Sequence, residues 1–353
     1  MNLVDTLSGK IGVRTAGSDE AARAAEAVAE AFRELGLEPR FQEFPLLGYD
    51  PEEPELEIDG ERWPAGPCVY SHPGEVEGEI RRLSDGVWAV GEGRIRRTPF
   101  GRGPIPFLAG LKYGGHIATP PTAFVSVADA ERLQDGMRAR LVVRGEFVPG
   151  RRDRNVIAEL PGESDEAIVV GAHFDAVWRG PGAIDNATGV EGLRRVAERL
   201  VGRKHPRTLR FISFGAEEIG LLGARRYVLE EKEAERLDKM VGMVNLDCIG
   251  RGDNLELLAA PAELLGRAEE LARTLGLLDR YQVVTEIGEE AGTDHLPFVQ
   301  EKIPSISVLH FPYDEYHLTS DTAELVDEQL MDDAVDLATA LVESQLARPV
   351  PRP

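Results

Sequence analysis

From residue 155 onward the chain alternates short apolar runs with helical patterns, and this rhythm limits the fold more than any other feature. The runs are NVIAEL (155–160), AIVVGAHF (167–174), TLRFISF (208–214), VGMVNLD (241–247) and SISVLH (305–310). Each is short and almost continuously apolar, as expected of a strand covered on both faces. Between them, Leu193, Val196, Ala197, Leu200 and Val201 fall on one face at helical spacing, which predicts a helix over 189–201. Strands alternating with helices build a mainly parallel or mixed sheet with helices on both faces. The expected class is α/β, in three layers.

The N-terminal part fits the same unit. Residues 18–36 read as an amphipathic helix, capped by Ser18 or Asp19 and stopped by Gly36. A strand is expected over 38–44. From 46 to 149 the texture changes: Pro and Gly are frequent, β-like runs such as RARLVVRGEF (138–147) are short, and no long helical period occurs. This predicts a small β-rich insert, dividing a larger domain into 1–45 and 150–346. A last helix is expected over 323–346, followed by a disordered tail, 347–353.

Composition removes several functions. The 353 residues carry 40 Lys and Arg against 62 Asp and Glu, a formal charge of −22, so neither nucleic acid nor an anionic membrane is an expected partner. The two cysteines, Cys68 and Cys248, are too few and too distant for a disulfide framework or a thiolate zinc knuckle. No cationic start precedes an apolar stretch, and no run of 18 apolar residues occurs, so the chain reads as cytoplasmic. The oligomeric state is open; an apolar face on the insert would support a homodimer.

In α/β sheets ligands bind beyond the carboxyl ends of the strands. Four predicted strand ends here each deliver a histidine or carboxylate: His173 and Asp175, Glu217 and Glu218, Asp247, and His317 with Tyr316 and Asp321 nearby. A fifth feature, Asp185, lies on a glycine-bounded loop. Imidazole mixed with carboxylate suits zinc, and two ions sharing one carboxylate need about five protein ligands. His173, Asp185, Glu218, Asp247 and His317 supply five. Glu217 is left over and suits a general base, while Asp175 suits a partner for the second nitrogen of His173.

The segments GAHFDAV, GAIDNATGV, FGAEEIGLLGARRYV, VNLDCIG, GTDHLPF and YHLTSD together resemble the zinc-dependent aminopeptidases of the bacterial leucyl aminopeptidase and aminopeptidase Y type. That superfamily also holds glutamate carboxypeptidase II and glutaminyl cyclase. The resemblance covers about 155–346 and implies a phosphorylase/hydrolase-like zinc exopeptidase fold. It implies two zinc ions bridged by Asp185, with His173 and Asp247 on one and Glu218 and His317 on the other; cobalt or manganese suit the same ligands. Glu217 is implied as general base toward a zinc-bridging water, Tyr316 as an oxyanion contact, and the peptide after Asp185 as cis. The 46–149 insert resembles a protease-associated lid.

The implied activity is removal of N-terminal residues from peptides with a free N-terminus. A carboxypeptidase or dipeptidase on the same scaffold is the alternative, and Arg179 and Arg251 are the nearest cations for a substrate carboxylate. A cyclase-like transferase or a non-catalytic homologue fits less well, because no ligand is missing. Asp294 and His295 are expected to cap a helix beginning at 295. His310 is expected to end a core strand. The acids of EIGEEAG (286–292) suit a solvated loop or a contact to a substrate ammonium.

Overall fold

A computed structural model describes residues 2–98, 120–287 and 292–346. The apolar runs form one mixed sheet. Its strands are β1 (Arg40–Pro51), β2 (Gly145–Leu160), β3 (Ala167–His173), β4 (Thr208–Phe214), β5 (Met240–Leu246), β6 (Asn254–Ala260), β7 (Gln282–Ile287) and β8 (Ser305–Phe311). They lie in the order β1-β2-β4-β3-β5-β8-β6-β7. The central strands β4, β3, β5 and β8 are parallel. The register pairs His173 with Phe214 and Leu246 with Val308, so the carboxyl ends of all four open on one edge.

The helices that cover this sheet are α1 (Asp19–Glu34), α2 (Gly189–Leu200), α3 (Leu222–Glu233), α4 (Ala262–Thr274) and α5 (Glu328–Leu346). Side chains alternate across a strand, and the two cores follow that alternation. Ile168, Val170 and Ala172 of β3 join Phe211 and Val244 beneath α1, α2, α4 and α5. Val169, Ile212 and Met243 point the other way, against Tyr227 and Val228 of α3 and against Phe298. The three-layer expectation holds.

Local signals place the helix ends. The hydroxyl of Ser18 accepts from the Ala21 N–H at 3.0 Å, and Gly36 adopts a φ of +79° just past α1. The last helix differs from its expected span. A short 3₁₀ turn occupies Ala323–Leu325, and α5 starts only at Glu328, because the Asp327 carboxylate accepts from the Gln329 N–H at 2.8 Å and fixes a new N-terminus. The strands β6 and β7 were not anticipated; Glu256, Thr285 and Glu286 interrupt their apolar pattern.

A second eight-stranded sheet lies between Glu55 and Val143, with its own core of Leu56, Trp63, Ile80, Trp88, Ile95 and Leu141. It is reached along the β1–β2 hairpin, whose antiparallel pairing runs from Arg40 opposite Ile157 to Pro51 opposite Gly145. Where the two sheets meet, Phe44, Leu46, Tyr49 and Tyr70 pack with Ala216 and Ile219. The second sheet thus touches the loop that follows β4. Among the described residues no helix is long and apolar enough to cross a membrane.

Candidate metal centre

The parallel strands bring distant residues to one point. His173 ends β3, Glu217 and Glu218 follow β4, Asp247 follows β5, and His317 lies beyond β8. Asp185 sits on the loop before α2. His173 Nε2 lies 3.2 Å from Asp185 Oδ1 and 3.6 Å from Asp247 Oδ1. His317 Nε2 lies 3.1 Å from Asp185 Oδ2 and 3.3 Å from Glu218 Oε2. Two donor trios therefore share Asp185, one carboxylate oxygen facing each. Within each trio the donor atoms lie within 4.8 Å of one another, and His173, Glu217 and Glu218 form a further such group.

All six of these side chains are buried. The His317 contacts miss hydrogen-bond geometry, and both Glu218 oxygens and both His317 ring nitrogens lack hydrogen-bond partners. Their lone pairs converge on a common region instead of satisfying one another. A buried carboxylate left this way is costly, and a divalent cation is the species that satisfies such a set. The residues fit a metal of the zinc type.

The electrostatics agree. Burial opposes charge on His173, but Glu217, Asp175, Asp185 and Asp247 together raise its pKa well above the usual imidazole value. Burial likewise opposes charge on His317, yet Glu218 and Asp185 push it up to about 9. Burial works against the Asp185 anion, and the two histidines overcome that and hold its carboxyl well below the usual range. The pocket demands positive charge.

A shell of fixed groups aims the donors. The Asp175 carboxylate accepts from the Glu217 and Glu218 N–H groups at 3.0 and 3.2 Å and stands 3.5 Å from His173 Nδ1. It thus fixes the loop bearing both glutamates and places a negative charge beside one imidazole. Asp321 accepts from the Ile184 and Asp185 N–H groups at 2.7 and 3.1 Å. The Asp185–Asn186 peptide is cis, as the resemblance implies. Asn186 ties its loop to the end of β5: its amide donates to the Leu246 carbonyl at 2.9 Å and accepts from the Cys248 N–H at 3.1 Å. Gly189 permits that closeness, since a Cβ there would lie 2.2 Å from Asn186 Oδ1 and 2.4 Å from the Leu246 carbonyl oxygen.

Three non-glycine residues beside the donors hold left-handed backbone: Ala216 (φ 56°), Cys248 (φ 52°) and His317 itself (φ 59°). Each costs roughly 1–2 kcal/mol. Such conformations cluster where surrounding structure over-determines a functional geometry.

Arg14 was not anticipated from the sequence. It is fully buried, and its guanidinium donates to the carbonyls of Phe174, Pro181 and Gly182, bracketing the loop between His173 and Asp185. Burial lowers its pKa to about 10, against the opposing pull of Asp175, Asp321, Asp185 and Glu218. Asp153 was not anticipated either. It accepts from the Gly17 N–H at 2.7 Å and pins the loop that carries Arg14.

The remaining candidates fall as follows. The ring of Tyr316 stacks on His317, with centroids 3.9 Å apart. Arg179 pairs with Glu53 at 3.1 Å and Arg251 with Glu315 at 2.9 Å. His295 occupies an N-cap position without a side-chain cap, because its ring bonds the Thr293 hydroxyl at 2.6 Å; the expected capping role is corrected. His310 is buried within β8, where burial pushes its pKa down to about 4. Cys68 and Cys248 are both buried free thiols. The acids at 289 and 290 and the tail 347–353 lie outside the described residues.

Sheet order, strand-end donors and shared carboxylate define an α/β fold with a candidate metal centre at the carboxyl edge of its sheet. The model of peptidase family M28 matches residues 155–342, more than half of the chain, and the chain belongs to that family. It is 29% identical over 251 residues to aminopeptidase YwaD of Bacillus subtilis, an alignment covering 67% of this chain and 53% of that protein. It is 37% identical over 198 residues to leucine aminopeptidase 2 of Arthroderma otae, covering 51% and 38% respectively. The chain thus spans about half or less of the length of these relatives.

Solved structures show the same fold. A zinc aminopeptidase from Bacillus subtilis superposes with a TM-score of 0.74 at 22% identity, over 97% of this chain and 93% of that one. A peptidase M28 precursor from Shewanella amazonensis gives 0.76 at 19% identity, over 99% and 95%.

Proposed function

We propose that this protein is a zinc-dependent aminopeptidase that removes N-terminal residues from peptides. The observation that carries the reading is the division of Asp185, one oxygen facing His173 and Asp247 and the other facing Glu218 and His317. In this reading the five residues hold two zinc ions, for which cobalt or manganese can substitute. Bound there, the ions supply Lewis-acid polarisation of the scissile carbonyl and lower the pKa of water. Glu217 takes the proton of the attacking water and returns it to the leaving amine. Asp175 keeps Glu217 in place through its backbone N–H and places a negative charge beside His173. Tyr316, held against His317, donates to the oxyanion that forms at the carbonyl.

In the same reading residues 1–45 and 150–346 form the peptidase unit, and 46–149 is an inserted cover over it. The names of the relatives support the amino-terminal direction of attack. So do Arg179 and Arg251, each engaged by a carboxylate where a carboxypeptidase needs a cation for its substrate.

The test is mass-spectrometric mapping of products from peptides with free, N-acetylated or C-amidated ends, with and without chelator. Single N-terminal residues should be released, acetylation should block the release, and chelation should stop it. Trimming from the carboxyl end, or chelator-resistant cleavage, would sink the proposal.

A further inference from the structure

Cys248 stands directly after Asp247, and every polar group it carries is engaged. It holds left-handed backbone, with φ 52°. Its N–H donates to Asn186 Oδ1 at 3.1 Å, and its carbonyl accepts from the His310 N–H at 3.2 Å. These bonds tie it to the loop bearing Asp185 on one side and to β8 on the other. The backbone is fixed from both sides, and with it the point from which the side chain leaves.

The thiol is turned toward the metal centre. Its S–H donates to Asp247 Oδ1 at 3.3 Å, the oxygen that also faces His173 Nε2 at 3.6 Å. Behind it the Tyr313 hydroxyl donates to the sulfur at 3.6 Å, and Ile184, next to Asp185, packs with both residues. A thiol is a weak donor, but Cys248 and Tyr313 are both buried, so water does not compete for these bonds. Among the described residues the sulfur joins none of the donor trios. It therefore acts on a ligand and is not one.

The acid of the other trio has no such support. Both oxygens of Glu218 lack a hydrogen-bond partner, whereas Asp247 is held by the side chain next to it. A carboxylate free to turn about its own bonds must be ordered when an ion binds, at a cost in affinity. The two halves of the centre thus differ in how their carboxylates are kept in place.

We propose that Cys248, backed by Tyr313, is a positioning residue of the metal centre: its thiol holds Asp247 in the pose of a ligand and so governs one of the two ions. The inference rests on the peptidase reading above, in which His173 and Asp247 hold that ion, and deepens it.

Three variants separate this role from packing. Cys248→Ala removes the donor, Cys248→Ser keeps one in nearly the same volume, and Tyr313→Phe removes the hydroxyl behind the sulfur. Zinc binding to each apo-protein would be measured by competition with a chromophoric chelator, and the step lost in His173→Ala marks the ion concerned. Cys248→Ala should weaken that step about tenfold, the low end of the usual loss for groups that support ligands. The other step should stay unchanged, which also shows that the variant is folded. Cys248→Ser should restore most of the affinity. Tyr313→Phe should weaken the same step by less, and adding it to Cys248→Ala should cost little more, since both act through one contact.

Equal loss at both steps, no loss in Cys248→Ala, or no recovery in Cys248→Ser would overturn the inference. So would a thiolate-to-metal charge-transfer band in the cobalt-loaded protein, which would make Cys248 a ligand. Because zinc binding is read without substrate, failure of the peptidase reading shows in the peptide assay alone, and a wild type that takes up no zinc overturns both.

Discussion

The second sheet and the metal centre handle acidic residues in opposite ways. On the sheet between Glu55 and Val143, carboxylates stand on the outward positions of neighbouring strands and meet arginines across the ladder. Arg140 pairs with Glu75 at 2.6 Å, Arg144 with Glu55 at 2.6 Å and Arg138 with Glu77 at 3.4 Å, all in solvent. At the strand ends of the main sheet, Asp185, Glu218 and Asp247 are buried, and among the described residues their only ion-pair partners are two histidines. Arg14, buried in the field of Asp185 and Glu218, directs its donors to carbonyls instead. Exposed carboxylates can be left to water and a loose partner. Buried ones demand a cation, and among the described residues three of them meet no lysine or arginine, only the two histidines.

In the proposed mechanism Glu217 differs from the other carboxylates in being a proton carrier and not a ligand. Glu217→Gln should lower kcat by about 10²–10⁴-fold while the metal content, measured by atomic emission, stays at the wild-type level. A variant that loses metal in parallel with activity would place Glu217 among the ligands. Metal removal itself should be felt in stability. Adding zinc to the apo-protein at a hundredfold excess over its Kd should raise unfolding stability by roughly 3 kcal/mol, read from denaturant midpoints. An apo-protein whose midpoint ignores zinc would break the comparison at its centre.

Much of this contrast was legible in the sequence, for a physical reason. Apolar runs such as AIVVGAHF and TLRFISF announce buried strands, and a histidine or carboxylate at their ends breaks the pattern visibly. The five donor residues and Glu217 could be named because residue type carries their chemistry. Arg14 could not. Its partners are the carbonyls of Phe174, Pro181 and Gly182, some 160 residues away in sequence, and a backbone acceptor has no residue signature. The roles of Asp321 and Asn186 escaped for the same reason: they bind backbone groups of Asp185, Leu246 and Cys248. In the fold, β6 and β7 were missed because their charged residues blur the strand period, and the full length of the β1–β2 hairpin was hidden by its prolines and glycines.

Arg14 also offers the next test. Arg14→Met takes a donor from the carbonyls of Phe174, Pro181 and Gly182 and removes a positive charge from the field of Asp175, Asp185, Asp321 and Glu218. Loss of a hydrogen bond made by a buried charged group costs roughly 1.5–3 kcal/mol. Because the loop it brackets carries Asp185, zinc affinity should also fall about 10–100-fold, the usual loss for residues that support ligands. Competition with a chromophoric chelator measures this at a temperature where circular dichroism shows the variant folded. Unaltered affinity in a folded variant would reduce Arg14 to a packing residue.

The smallest effect belongs to the other side of the comparison. Arg140 reaches Glu75 and Glu55 across the outer face of the second sheet, with 39% of its side chain in solvent. Its hydrogen bond to Glu75 raises its pKa, but an exposed pair is screened by water and salt and opposed by side-chain entropy. Arg140→Ala should leave the thermal midpoint where it is, and added salt should not change that result. A clear drop that salt abolishes would mean that the ladder of surface pairs works as a network. The two regions would then differ in where their cations come from, the protein itself or the solution, and no longer in how much they depend on them.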